Sequence, residues 1–185
     1  GVVGYNHSSV TNCYNTGTVT GPESGNNNRV GGVVGRNDGS VKNCYNTGTV
    51  TGTDDSVGDV GGVVGYNNNG TVENCYNTGA VSGSGLYVGG VVGYNFIGGS
   101  VTGCYFLQQG ELPGIGDGSG TAGATGLTAD QFKDQNSFTS WTDFANTWEI
   151  KSIFGRPTLK DNAEIGGTAN NPYKIFTATQ LKNFA

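Results

Sequence analysis

Four cysteines are the residues of this 185-residue chain best suited to metal or redox chemistry, and they recur at nearly constant spacing. Zinc sites built on cysteine use close pairs such as Cys-x-x-Cys, whereas one cysteine per repeat would form a column instead of a tetrahedron. Stacked repeats could bring two Cα atoms within the span of about 4.4 to 6.8 Å that a disulfide tolerates. However, equivalent side chains on stacked repeats point in the same direction instead of toward one another, which disfavours a disulfide. A small thiol can also simply fill a tight interior column. We therefore expect buried free thiols, with disulfides as the alternative, at Cys13, Cys44, Cys75 and Cys104.

The other candidates for catalysis or metal binding are few. His7 is the only histidine, so neither a histidine-based triad nor a His-Glu-x-x-His zinc site can be formed within the chain. Acidic residues at predicted turns offer oxygen ligands for calcium, but the sequence orders of EF-hands and calcium-binding β-rolls are missing. The sequence thus predicts no catalytic, cofactor-binding or metal-binding residue, and any catalytic domain is expected outside this chain. The acidic residues considered are Asp54, Asp55, Asp59 and Asp117.

The cysteines belong to a repeated motif. The six residues Asn-Cys-Tyr-Asn-Thr-Gly stand at 12–17, 43–48 and 74–79, and a degenerate copy begins at Gly103. Successive cysteines are 31, 31 and 29 residues apart, a period typical of stacked repeats. A valine stands three positions before each cysteine, and a pair of valines next to glycine precedes it. The single valines are Val10, Val41, Val72 and Val101, and the pairs lie at 2–3, 33–34, 63–64 and 91–92.

These repeats predict an all-β fold. Valine, tyrosine and threonine favour strands, glycine and asparagine favour turns, and the first hundred residues lack helical spacing of apolar positions. A unit of about 30 residues cannot bury its apolar side alone, so neighbouring units must share a core. We predict a parallel β-solenoid (β-helix) of about four coils, right-handed by the crossover rule, in which the single valines and the cysteines form ladders.

Tyrosines and threonines occupy further repeated positions. Two tyrosine columns are expected: if they face outward they could stack on sugar rings, and if they face inward they belong to the core. We favour core or half-buried packing. Alternating threonines could order water in an ice-binding face, but Ala80 interrupts the third repeat, which favours ordinary outward positions. The columns are Tyr5, Tyr66, Tyr94 and Tyr14, Tyr45, Tyr76, Tyr105; the possible surface contacts are Tyr5, Tyr66, Tyr94, Thr18, Thr20, Thr49 and Thr51.

Composition divides the chain into four segments. We predict solenoid repeats over 1–105, a glycine-rich linker over 106–120, an aromatic-rich capping segment over 121–165 and the start of a further module over 166–185. The capping segment holds Trp141 and Trp148 and is expected to cover the C-terminal side of the solenoid as a small mixed α+β structure. Thr128 and Gln131 have the spacing of a helix capping box. Because Gly1 starts inside a repeat, we expect a fragment of a longer array.

Charge and hydropathy limit the partners. Nine basic and 14 acidic residues give a net charge of -5 and a pI near 4.6, so nucleic acid is disfavoured. No apolar run approaches the roughly 20 residues of a membrane helix, so we expect no membrane insertion by this segment. We expect a monomer without cofactors that could contact a host protein or a glycan through its surface.

The combination of Gly-Gly-Val-Val-Gly-Tyr-Asn with Asn-Cys-Tyr-Asn-Thr-Gly-x-Val resembles the GLUG repeat over about residues 1–105. That repeat occurs in arrays on large secreted bacterial surface proteins, among them zinc peptidases that cleave immunoglobulin A1. The resemblance implies an extracellular or cell-surface bacterial protein in which this region is a non-catalytic structural spacer or adhesive stalk. The alternatives are the accessory region of a surface metallopeptidase and a glycan-binding module.

Overall fold

The computed structural model describes residues 1–22, 28–53, 58–84, 87–120 and 123–160. Within them the chain forms short strands, and each strand of the repeats pairs in parallel with its equivalent one repeat away. The single valines follow this register, since Val41 is the partner of both Val10 and Val72, and Val72 is the partner of Val101. The predicted all-β parallel solenoid is therefore confirmed.

The strands of the repeats form five parallel sheets, which we number in the order in which a complete repeat passes through them. Sheet 1 contains Asn28–Gly31, Gly58–Gly61 and Tyr87–Gly89. Sheet 2 contains Val3–Asn6, Val34–Asn37, Val64–Asn67, Val92–Asn95 and Ile115–Asp117. Sheet 3 contains Ser9–Thr11, Ser40–Lys42, Thr71–Glu73 and Ser100–Thr102. Sheet 4 contains Tyr14–Asn15, Tyr45–Asn46, Tyr76–Asn77, Cys104–Leu107 and Ala124–Leu127. Sheet 5 contains Val19–Thr20, Val50–Gly52 and Val81–Gly83.

The interior of the solenoid consists of two apolar columns. The larger one lies within sheets 2, 3 and 4 and is built from the paired valines, the single valines and the cysteines. The smaller one lies between sheets 1 and 5 and contains Val30, Val50 and Val60. Consecutive strand residues point to opposite faces, yet Val33 and Val34 are both fully buried because Val33 lies in the bend between sheets 1 and 2. The bend explains why valines occur in pairs.

A left-handed backbone conformation precedes each cysteine of the ladder. The φ angles of Asn12, Asn43 and Asn74 are 55°, 52° and 52°, and the φ angle of Gly103 is 58°. Asparagine and glycine adopt this conformation more readily than other residues do. The fourth copy of the motif is thus degenerate in sequence but keeps the turn.

Glycines allow sheets 1 and 2 to pack backbone against backbone. A Cβ atom on Gly61 would lie 2.7 Å from the nitrogen of Gly93 and 2.8 Å from the carbonyl carbon of Val64. A Cβ atom on Gly65 would lie 2.7 Å from the backbone nitrogen of Val30 in sheet 1. No side chain fits at this contact, so the glycines flanking the valine pairs are a packing requirement of the coil.

Two ladders of asparagines, all buried except the half-buried Asn15, run along the solenoid. In the first, the amide of Asn6 donates to Asn37 at 2.7 Å, Asn37 donates to Asn67 at 2.8 Å, and Asn67 donates to Asn95 at 2.8 Å. The second ladder contains Asn15, Asn46 and Asn77, with amide contacts of 2.7 and 2.8 Å. Within each ladder the amide of one asparagine donates to the asparagine of the following level, and buried hydrogen bonds of this kind fix the register of the repeats. These ladders were not predicted from the sequence.

The solenoid extends beyond residue 105, which corrects the predicted boundary. In the segment 106–120, predicted to be a linker, Ile115–Asp117 joins sheet 2 beside Val92–Asn95. Ala124–Leu127 then joins sheet 4 beside Cys104–Leu107. Together they form a partial fifth level. This level lacks the repeated motif, so the sequence pattern could not reveal it.

The aromatic-rich segment was predicted to cover the C-terminal side of the solenoid. Of its described residues, only Ala124–Leu127 lies there, and the aromatic residues from Phe132 onward pack instead along the outer face of sheet 4. The segment contains the 3-10 helices Gln131–Lys133 and Gln135–Ser137, the short α-helix Phe144–Thr147 and the antiparallel strands Trp148–Lys151 and Arg156–Leu159. The predicted capping box is present, with reciprocal hydrogen bonds of 2.8 and 3.2 Å between Thr128 and Gln131. The last part of this segment and the predicted further module, 161–185, lie outside the described residues.

Candidate functional site

The structure places the four cysteines in one interior file. Cys44, Cys75 and Cys104 are buried and Cys13 is half-buried, and all four are free thiols. The amide of Cys13 donates to the sulfur of Cys44 at 3.4 Å, and the amide of Cys44 donates to the sulfur of Cys75 at 3.4 Å. Burial raises the pKa of Cys75 well above its ordinary value, which keeps this thiol protonated. Cys75 therefore suits packing and not nucleophilic catalysis.

The column Tyr14, Tyr45, Tyr76 and Tyr105 projects outward from sheet 4, and the aromatic segment covers it. The rings of Tyr45 and Tyr76 are stacked with centroids 5.0 Å apart, and Trp148 lies 5.7 Å from Tyr76. The backbone amide of Ser140 donates to the hydroxyl of Tyr105 at 3.1 Å. Tyr45, Tyr76 and Tyr105 are buried as a result. These rings are core residues, although they lie outside the coil itself.

The second column lies on the outer face of sheet 2 and is partly exposed. Arg36 takes the position between Tyr5 and Tyr66, and Tyr94 follows on the next level. The guanidinium of Arg36 lies 4.8 Å from the centroid of Tyr5, and that of Arg29 lies 4.2 Å from the centroid of Tyr66. The exposed column therefore combines aromatic rings with arginines, a composition typical of binding surfaces.

Arg36 of this column and Arg29 of the neighbouring sheet 1 each face a carboxylate. Arg36 donates to both oxygens of Asp38 at 2.7 and 2.9 Å, and the Tyr5 hydroxyl donates to Asp38 at 2.6 Å. The Arg36 guanidinium beside Asp38 holds the pKa of that carboxyl well below its usual range. Arg29 lies 3.7 Å from Asp59, whose side chain is only 12% exposed. Burial raises the pKa of Asp59 to about 6, against the opposing charge of Arg29.

Asp59 makes stability depend on pH in a defined window. Because the pKa of Asp59 is raised from 3.8 to about 6, the folded protein binds this proton more tightly than the unfolded chain does. Stability should therefore fall as the pH rises from about 4 to about 6, by on the order of 2 kcal/mol. Asp59→Asn should remove this dependence of stability on pH, and at pH 7.5 it should raise the urea concentration at the midpoint of unfolding. The exposed Asp117→Asn serves as the control for charge removal, and an unchanged slope in Asp59→Asn would contradict the assignment.

The threonines predicted as surface contacts lie in or beside sheet 5. Thr18, Thr20 and Thr49 are exposed and Thr51 is half-buried, while the intervening valines contribute to the smaller apolar column. The hydroxyl of Thr51 lies 3.4 Å from that of Ser82 on the next level. In the described residues sheet 5 has three strands, so this polar face is narrow.

The described residues contain no cluster of three or more histidine, cysteine, aspartate or glutamate side chains that could hold a metal ion. In the same part of the chain, no helix has the length and apolar character needed to cross a membrane. Asp54 and Asp55 fall outside the described residues. The candidate site that the structure does assemble is the exposed aromatic column on sheet 2.

The fold and its ladders define a repeat protein of the parallel β-solenoid class. The sequence profile of the GLUG motif matches residues 1–20, 26–51, 56–82 and 84–107, which is more than half of the chain. The chain therefore belongs to the GLUG-motif family.

The fold is also similar to a solved structure described as a "putative immunoglobulin A1 protease from Bacteroides ovatus". The TM-score is 0.57 and the sequence identity is 22%, over 86% of this chain and 62% of the other. At this identity the similarity supports the fold alone, and the chain spans less than two thirds of that protein's length. A search of curated proteins gives no match.

Proposed function

We propose that this chain is a non-catalytic, elongated spacer in a secreted or surface-attached bacterial protein. The observation that carries the proposal is the stacking of all repeats in one register, with every sheet continuing from level to level. Each level adds about 4.8 Å along the axis, and the apolar and asparagine ladders make neighbouring levels mutually dependent. Such an array is stiff and lengthens in proportion to its repeat number.

The spacer role predicts that each added repeat lengthens the protein by the same amount. Three extra in-frame copies of the 31-residue unit 44–74 should extend the particle by about 14 Å, measured as the maximum dimension in small-angle X-ray scattering. The unaltered chain is the reference, and both proteins should be monomers. Growth in cross-section instead of length, or loss of folding on insertion, would contradict a modular spacer.

A second candidate is the accessory region of a surface metallopeptidase, favoured by the fold similarity to the Bacteroides ovatus structure. Under this alternative the chain would position a catalytic domain near its substrate without acting itself. Incubation of the purified chain with immunoglobulin A1 should leave the antibody intact. Cleavage by this chain alone would overturn the non-catalytic assignment under both candidates.

A further inference from the structure

The corner between sheets 2 and 3 lengthens along the solenoid. It contains two residues in the first and second repeats, three in the third and four in the fourth. Gly98, with a φ angle of 87°, allows the fourth corner to turn. In repeat proteins such insertions map to one face, which is often the binding face.

The fourth corner also departs from the others in chemistry. Phe96 occupies the position that is His7, Asp38 and Asn68 in the other repeats. Ile97 follows it where the other repeats have Ser8, Gly39 and Asn69. Phe96 is 37% exposed and Ile97 is 61% exposed, so neither is needed to fill the interior. An apolar pair at a solvated corner that is otherwise polar is better explained by a ligand than by folding.

Phe96 lies over the exposed tyrosine column. Its centroid is 6.3 Å from Tyr66 and 6.5 Å from Tyr94, and its ring is tilted by 34° and 40° to theirs. Tyr66 and Tyr94 are themselves stacked at 5.7 Å, and Tyr87 lies 4.7 Å from Tyr94. The faces of the two stacked tyrosines are therefore largely occupied by neighbours. Phe96 presents an exposed ring, and the tyrosines contribute edges and hydroxyl groups.

The surroundings favour a small, neutral ligand. The positive charges of Arg29 and Arg36 are balanced by Asp59 and Asp38, so the surface offers little net charge to an ionic partner. A stable protein interface needs about 20 to 30 residues from each partner, many more than this aromatic corner provides. Exposed rings next to hydroxyls and planar charged groups match the alternating apolar and hydroxyl surface of a sugar.

We propose that Phe96, Ile97, Tyr66 and Tyr94, together the Phe96 platform, bind a neutral oligosaccharide. One sugar ring packs on Phe96, and its hydroxyl groups bond to the edge of the tyrosine column. Neighbouring sugars follow the column toward Arg36 and Asp38. This activity goes beyond the spacer role, because it gives one corner of the solenoid a ligand of its own.

The test is a glycan array that carries neutral β-glucans, mannans and poly-N-acetyllactosamine together with sialylated and sulfated counterparts. The unaltered chain should bind neutral glycans, and the strongest of them is then titrated by calorimetry. The double variant Phe96→Asn, Ile97→Asn restores residues that the third repeat carries and should therefore fold. We expect it to lose about tenfold or more in affinity. Ile153→Ser removes an apolar side chain that is 76% exposed and outside the platform, and it should bind normally.

The outcomes separate the two proposals. Unchanged affinity in the double variant, binding confined to sialylated or sulfated glycans, or no neutral glycan bound by the folded chain would each overturn the platform. The urea midpoint of the variant, compared with that of the unaltered chain, shows that any loss is not unfolding. Small-angle scattering of the same samples reports the spacer architecture independently, so either proposal can fail while the other stands.

Discussion

Gly48→Ala is expected to destabilise the 185-residue chain by about 3 kcal/mol. A Cβ atom at this position would overlap the carbonyl oxygen of Gly17 on the preceding level and lie 2.6 Å from its carbonyl carbon. Both atoms belong to the backbone, so no side-chain rotation can relieve the overlap. The two levels would have to separate, which would also stretch the 2.7 Å amide contact between Asn15 and Asn46. The measurement is urea unfolding followed by far-ultraviolet circular dichroism.

Gly17→Ala is the matched control. Gly17 occupies the same position of the motif, but the nearest atom to its added Cβ would be the side-chain oxygen of Asn15 at 3.8 Å. An ordinary van der Waals contact of this kind should change stability by no more than about 0.5 kcal/mol. Equal effects of the two substitutions would mean that the levels are not packed at the distance the structure shows.

Tyr76→Ala should cost about 3 to 5 kcal/mol, because it removes the ring at the centre of the contact between sheet 4 and the aromatic segment. Tyr76 is fully buried, lies 5.7 Å from both Phe132 and Trp148, and donates its hydroxyl proton to the carbonyl oxygen of Pro157. Trp141 and Trp148 are the only tryptophans and both pack here, so their emission should shift to the red as the segment loosens.

Tyr66→Ala provides the comparison, since Tyr66 is also part of a stacked column in an equivalent register. Tyr66 is only half-buried, and we expect a loss of about 1 kcal/mol with no change in tryptophan emission. Similar losses for the two substitutions, or a tryptophan shift in Tyr66→Ala, would show that the segment does not pack on the Tyr76 column.

Several features of the fold could be predicted from the sequence because the repeats place the same residue at the same point of each level. Val41 and Cys44 show this directly, since a valine and a cysteine three positions apart return every 29 to 31 residues and end in one buried column. The repeat length shows which residues occupy equivalent positions on successive levels. When those residues are apolar, a core shared between the levels can be predicted.

The candidate site was less accessible to prediction. Tyr5, Tyr66 and Tyr94 were predicted as possible surface contacts. Tyr5 is exposed but Tyr66 and Tyr94 are half-buried, and the exposed ring beside those two is Phe96, which is not part of the repeat. The signal available in the sequence was the departure of Phe96 and Ile97 from the polar residues at equivalent positions. The asparagine ladders could have been suspected from the two asparagines that follow tyrosines in each complete repeat, although such residues are usually assigned to turns.

By itself, the sequence determined that this chain is a parallel β-solenoid with valine and cysteine ladders, because its repeated units consist of strand-forming residues and are too short to bury their apolar side chains without stacking. Only the tertiary structure decided which of the two tyrosine columns remains exposed. The aromatic segment packs on Tyr45, Tyr76 and Tyr105 and leaves sheet 2 partly open to solvent. The physical reason is that this contact joins residues far apart in the sequence through complementary shape and ring packing. Such a contact leaves no repeated pattern in the sequence from which it could be predicted.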